Sequence, residues 1–112
     1  MIDLSVSLVS CNQKQDIERL LPSITTACSF LRSEILLVDN RSIDDTTGFV
    51  RGMYPSINIV ENPAIAGYGE NHNINLDRAK GRYFVIMNSD MIVNSDVFLC
   101  LSDLMKHWLK TI

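Results

Sequence analysis

Arg82-Tyr83-Phe84-Val85-Ile86-Met87-Asn88-Ser89-Asp90 runs five consecutive apolar residues, Tyr83 to Met87, straight into a polar cluster ending on a carboxylate. An apolar run of that length between polar flanks predicts a strand buried on both faces. Ligands of open α/β sheets lie outside the carboxyl ends of the strands. Asn88, Ser89 and Asp90 are therefore the first candidates for chemistry.

The same theme recurs upstream. Glu34-Ile35-Leu36-Leu37-Val38-Asp39 is another apolar run ending in an acid, and Leu4 to Ser10 alternates apolar and hydroxyl residues as a strand does. Ser56 to Val60 reads as a shorter strand. Helical spacing fills the intervals. Ile17, Leu20, Leu21, Ile24, Ala27, Cys28 and Leu31 form one apolar stripe, which continues on both sides of Pro22 and so predicts a kink there, not a stop. Asp44 and Asp45 stand where a second helix begins, the charge that a helix N-terminus favours. Asp44 is read as a cap and not as a ligand contact. That helix carries Gly48 and Gly52 and ends before Pro55. A third runs from about Glu70 to Lys80, with Gly81 as its expected C-terminal cap. Asn94-Ser95-Asp96 caps a last amphipathic helix bearing Val97, Leu101, Leu104, Trp108 and Leu109. Strands alternating with helices imply an α/β fold with parallel pairing and helices on both sheet faces.

With 112 residues, 46% of them apolar, the chain suits one domain with a continuous core. A net charge of -3 with interspersed signs argues against a nucleic-acid partner. Cys11, Cys28 and Cys100 are widely separated and support neither a disulfide framework nor a zinc site, so a reduced, cytoplasmic setting is expected. No apolar run is long enough to span a bilayer, and Met1-Ile2-Asp3-Leu4 has no signal-peptide character. Attachment to the inner face of a membrane would have to come from a parent protein.

The standard nucleotide loops are missing. No GxxxxGK[ST] is present, and Gly67-Tyr68-Gly69 is a lone GxG after the third strand, where a dinucleotide fold would carry its fingerprint after the first. A phosphate-accepting receiver domain would want an acid after the first strand, where Cys11-Asn12 stands.

Four segments together resemble the nucleotide-binding half of a family 2 glycosyltransferase. They are Val9 to Asn12, Leu37 to Asp44, Glu61-Asn62-Pro63 through Gly67-Tyr68-Gly69-Glu70-Asn71-His72-Asn73, and Gly81 through Asn88-Ser89-Asp90. Their order and spacing match the family across nearly the whole chain, and the pattern is most similar to the rhamnosyltransferase-type members. The resemblance implies a GT-A fold, a Rossmann-like three-layer α/β/α domain with a mostly parallel sheet. It implies transfer of a sugar from a nucleotide diphosphate sugar, a UDP- or dTDP-sugar, to an acceptor hydroxyl. The setting would be polysaccharide or glycoconjugate synthesis.

The chemistry agrees with that expectation. A divalent cation, Mg²⁺ or Mn²⁺, bridging both phosphates acts as Lewis acid and template. Mg²⁺ keeps several waters and asks the protein for only one or two carboxylates. By resemblance Asp90 is the metal ligand, with Asn88 adding a neutral oxygen or a hydrogen bond. Asp39 corresponds to the acid that contacts the base, where a carboxylate suits the imide N–H of uracil or thymine. Ser10 and Asn12 would line that pocket. Gly67, with Gly69, would let backbone approach the nucleotide, and Asn73 matches a polar family position. His72 is open between ligand contact and an exposed helix residue. His107 is read as a surface residue.

Two departures matter. The metal motif begins with Asn88 in place of Asp, which lowers local negative charge. The chain also ends about one helix after that motif, so residues 1–112 are expected to form a donor half without the acceptor half or its general base. No catalytic residue is assignable. The exposed stripe of Leu101, Leu104 and Trp108 is expected to drive self-association. The competing reading is a non-catalytic nucleotide-binding or interaction module that keeps the fold.

Overall fold

The computed structural model describes residues 1–29, 31–92 and 97. The described elements alternate: β1 (Ile2–Ser10), α1 (Lys14–Cys28), β2 (Ser33–Asp39), α2 (Thr46–Met53), β3 (Asn58–Glu61), α3 (Tyr68–Arg78) and β4 (Gly81–Ile86). All strand pairings are parallel, in the order β3-β2-β1-β4. The α/β architecture expected from the alternation is the one observed.

The alternation within β1 divides the sheet into two chemically different faces. Leu4, Val6 and Leu8 join Ile17, Leu20, Leu21 and Ile24 of α1 in the main apolar cluster, with Leu37 of β2 and Val50 of α2. Ser5 and Ser7 are equally buried but point to the other face, where α3 packs. Side chains of a strand alternate sides, so one strand serves both layers. α1 continues unbroken through the exposed Pro22, as the uninterrupted stripe requires, and ends at Cys28, short of Leu31.

Two expectations are corrected in detail. Tyr83 to Met87 does not form a strand buried on both faces: among the described residues β4 is an edge strand paired only with β1, and Ile86 is 52% exposed. An apolar run alone does not distinguish a centre from an edge. The fully buried strand centres are β1 and β2. Gly81 is not a helix cap, because α3 ends at Arg78 with Ala79 extended and no glycine adopts a left-handed conformation. Gly81 opens β4, and a Cβ there would lie 2.6 Å from the Ser5 backbone nitrogen. Glycine is demanded by close approach of two strands. The start of the second helix is as expected: Asp44 accepts bonds from the Thr46 amide and hydroxyl, and Asp45, at the N-cap position, makes no side-chain cap bond.

Among the described residues no helix is long and apolar enough to cross a membrane. Val97 is helical and packs against the core. Leu101, Leu104, His107 and Trp108, with the self-association expected of that helix, lie outside the described residues.

Candidate functional site

β2 and β3 extend the sheet on one side of β1, and β4 lies on the other. That reversal opens a crevice outside the carboxyl ends of β1 and β4, where open α/β sheets bind ligands. A cavity of about 240 Å³ occupies it, lined by Val9, Cys11 and Gln13, by Tyr68 and His72 of α3, and by Met87 to Asp90. Pockets for whole small molecules usually run from roughly 300 Å³ upward. The cavity is therefore one compartment of a longer open rim.

Ser89 anchors the turn after β4. Its buried hydroxyl lies 2.9 Å from Gln13 Oε1 and 3.2 Å from the Val9 carbonyl, tying the turn to the end of β1. Asn88 and Asp90, on either side of it, are exposed and line the cavity. The Tyr68 hydroxyl donates to Asn88 Oδ1 across 3.1 Å. Among the described residues no three His, Cys, Asp or Glu side chains converge on a metal site. One carboxylate and one amide oxygen are nonetheless a sufficient protein share for a hard cation that takes its remaining oxygens from water and phosphate. The residues fit such an ion.

A second polar group lies one strand over, at the ends of β1 and β2. Asp39 is 4% exposed, and its Oδ2 accepts the Ser42 amide at 3.1 Å. Its Oδ1 is buried and has no partner among the described residues, and the same holds for the Ser10 hydroxyl. Asn12 takes a positive φ of 54° and accepts the Ile43 amide on Oδ1 at 2.7 Å. Its own amide donates to Ser42 Oγ. Asn12 thus ties the loop after β1 to the loop after β2 and holds Asp39 in place. Asp44 stands behind this pair and accepts the Lys14 amide, stitching the start of α1 to that of α2. Burial would raise the Asp44 carboxyl, but the bonds from Thr46 and Lys14 hold it below its usual value.

The loop before α3 is clasped by asparagines. Asn40 bonds both the amide and the carbonyl of Ala66, and Asn62 donates to Asn40 and to Asn71 at 2.6 Å. Gly67 caps α3 with a negative φ, and a Cβ there would touch only Glu70 at 3.4 Å, while Gly69 has open space. Nothing among the described residues demands glycine at either position. Asn73 is exposed and does not line the cavity; its neighbour His72 does.

His72 is buried, at 3% exposure, so the reading of it as an exposed helix residue is corrected. Its Nδ1 lies 2.7 Å from Ser7 Oγ, and its ring meets Tyr68 edge-on with centroids 4.5 Å apart. Burial pushes the imidazole below its ordinary value of 6.5. Ser7 Oγ also accepts from Asn75 Nδ2 at 2.8 Å, and Asn75 Oδ1 accepts from Arg78. Sequence reasoning gave no role to Gln13, Tyr68, Ser7 or Asn75. The available signal was the run of polar residues at Asn71, His72 and Asn75, which recur at helical spacing where an apolar stripe would be expected.

Glycosyl transferase family 2 matches residues 5–110. No curated protein sequence matches the chain. Among solved structures it is similar to S. aureus TarS 1-349 in complex with UDP, with a TM-score of 0.86 at 22% identity over 95% of this chain and 32% of that one. The same protein in complex with UDP-GlcNAc gives 0.83 at 21% identity, over 95% and 32%. The mannosyltransferase PcManGT from Pyrobaculum calidifontis, in complex with GDP-Man and Mn²⁺, gives 0.73 at 24% identity, over 88% and 32%. The chain spans about a third of the length of these structures.

Proposed function

The chain belongs to glycosyl transferase family 2, and from that membership we propose that residues 1–112 form the donor half of a GT-A glycosyltransferase. It binds a nucleotide diphosphate sugar together with a divalent cation. The parent activity is transfer of the sugar to an acceptor hydroxyl in polysaccharide or glycoconjugate synthesis. The reading is carried by Asp39 Oδ1, a buried acceptor at the carboxyl end of β2 with no partner among the described residues. A buried acceptor without a partner is costly, and an imide N–H of a pyrimidine base would relieve it. Ser10 offers a second such group at the same strand ends.

Roles then follow from position along the rim. Asp39 and Ser10 hold the base, with Asn12 fixing the turn that shapes the pocket. Gly67 leaves room for the ligand in front of α3. Asn73, exposed one residue beyond His72, faces outward and contacts donor beyond the cavity. Asp90 and Asn88 would hold the cation, which would supply Lewis-acid stabilisation of the diphosphate leaving group. Among the described residues no Lys or Arg lines this cavity. Two phosphate charges therefore need the cation, and a metal requirement for binding is expected. UDP- and dTDP-sugars suit Asp39 equally. The neighbours solved with UDP, UDP-GlcNAc and GDP-Man support a nucleotide sugar as the partner class.

Calorimetric titration of the chain with UDP, dTDP and GDP, with and without Mn²⁺, tests this. Metal-dependent binding is expected, lost on Asp90→Ala and weakened at least tenfold by Asp39→Ala. Binding that ignores both metal and Asp90 would favour a metal-independent nucleotide module. No binding of any nucleotide would sink the reading.

A further inference from the structure

His72 closes a hydrogen-bond chain that begins at Arg78 and runs through Asn75 and Ser7. Arg78 has only donors, so the Asn75 oxygen that accepts from it, at 2.7 Å, is fixed as Oδ1. Asn75 Nδ2 is then a donor, and its shortest contact is Ser7 Oγ at 2.8 Å. Ser7 Oγ accepts there and lies 2.7 Å from His72 Nδ1, the partner left for its own proton among the described residues. With that proton given to Nδ1, a neutral imidazole carries its own on Nε2.

That Nε2 is buried and has no partner among the described residues. His72 lines the cavity that also holds Asn88 and Asp90. Tyr68, 59% exposed, stands edge-on against the imidazole and can yield to an incoming ligand. We infer that His72 is a ligand-contacting residue whose Nε2–H donates to a phosphate oxygen of the bound nucleoside diphosphate, with Ser7, Asn75 and Arg78 as the residues that position it. A neutral donor complements the cation: it bonds a phosphate oxygen without adding a second positive charge to compete with the metal. The inference rests on the nucleotide-sugar reading of the same site.

Two measurements on the chain test it with UDP and Mg²⁺. In long-range ¹H–¹⁵N spectra His72 is expected as the Nε2–H tautomer, and its Nε2 resonance is expected to move on adding UDP–Mg²⁺ but not uridine. In calorimetry His72→Phe, which keeps a ring against Tyr68, is expected to weaken UDP about tenfold, the scale of one hydrogen bond to a charged acceptor. His72→Gln, which restores a donor, recovers part of the loss. Ser7→Ala frees the tautomer and weakens UDP several-fold with His72 intact, which covers the case of a poorly folded His72→Phe. Unchanged affinity in these variants beside intact wild-type binding overturns the inference alone. So does an Nε2 resonance that fails to move, or that moves equally with uridine. If the wild type binds no nucleoside diphosphate, the parent reading falls and takes this one with it.

Discussion

On one face of the sheet Leu4, Val6 and Leu8 meet Ile17, Leu20, Leu21 and Ile24 of α1; on the other, Ser5 and Ser7 of the same strand meet Glu34, His72 and Asn75. The first contact is held by apolar burial, which is strong and non-directional. The second is held by hydrogen bonds, individually modest in net stability but strict in geometry. α1 supplies much of the free energy that keeps the sheet folded. α3 contributes less, yet its buried residues Asn71, His72 and Asn75 fix where the helix and its cavity wall stand. Adhesion and alignment are assigned to opposite sides of one sheet.

The comparison can be broken from either side. Leu21 is fully buried in the apolar cluster, so Leu21→Ala is expected to cost about 2–5 kcal/mol, read as the largest fall in denaturation midpoint. Metal-dependent nucleotide affinity should change little in the fraction that stays folded. Asn75→Ala acts in the other direction. It leaves Arg78 short of an acceptor and removes donors from Ser7 and the carbonyls of Leu8 and Leu36, at a cost of about 1–3 kcal/mol. Nucleotide affinity is expected to fall with it, because the wall of the cavity loses its alignment. Equal effects of the two substitutions on affinity would refute the division of labour.

The smallest effect comes from pH. Burial depresses the His72 imidazole in the native state below its ordinary 6.5. The unfolded chain therefore takes up a proton that the native chain refuses, and this part of the stability is complete above about pH 6.5 and lost as pH falls below it. Chemical denaturation at pH 7.5 and 5.5 should show a fall in the wild type that is smaller in His72→Phe. The same fall in both would show that the polar face does not titrate.

What the sequence disclosed follows the same division. Apolar periodicity exposed β1, β2 and α1 because burial leaves a regular imprint of spacing. The acid-terminated strands pointed to Asp39 and Asp90, and the structure places both at the carboxyl rim. The polar face left no such imprint. A serine facing a histidine and an asparagine has the composition of a surface, so Ser7 and Asn75 passed unnoticed and His72 stayed open. Asn73 and His72 are adjacent, and a one-residue choice on a helix turns a side chain by about 100°. The edge position of β4 could not be read either, since strand order is a property of the assembled sheet. Gly67 illustrates the converse. Its identity is unexplained by any neighbour among the described residues, and open space in front of it matches what an approaching ligand would need.

Gly81 sits at the far end of β4 from Asp90, paired with Ile2 and bonded through its amide to Ser5 Oγ. Because a Cβ there would collide with the backbone of Ser5 and Leu4, the two strands can meet at this point only while the position stays bare. Any side chain would shift the origin from which β4 is measured against β1, and the turn at Asn88 to Asp90 hangs from the other end of that strand. A residue with no part in binding thus calibrates where the Asp90 carboxylate stands.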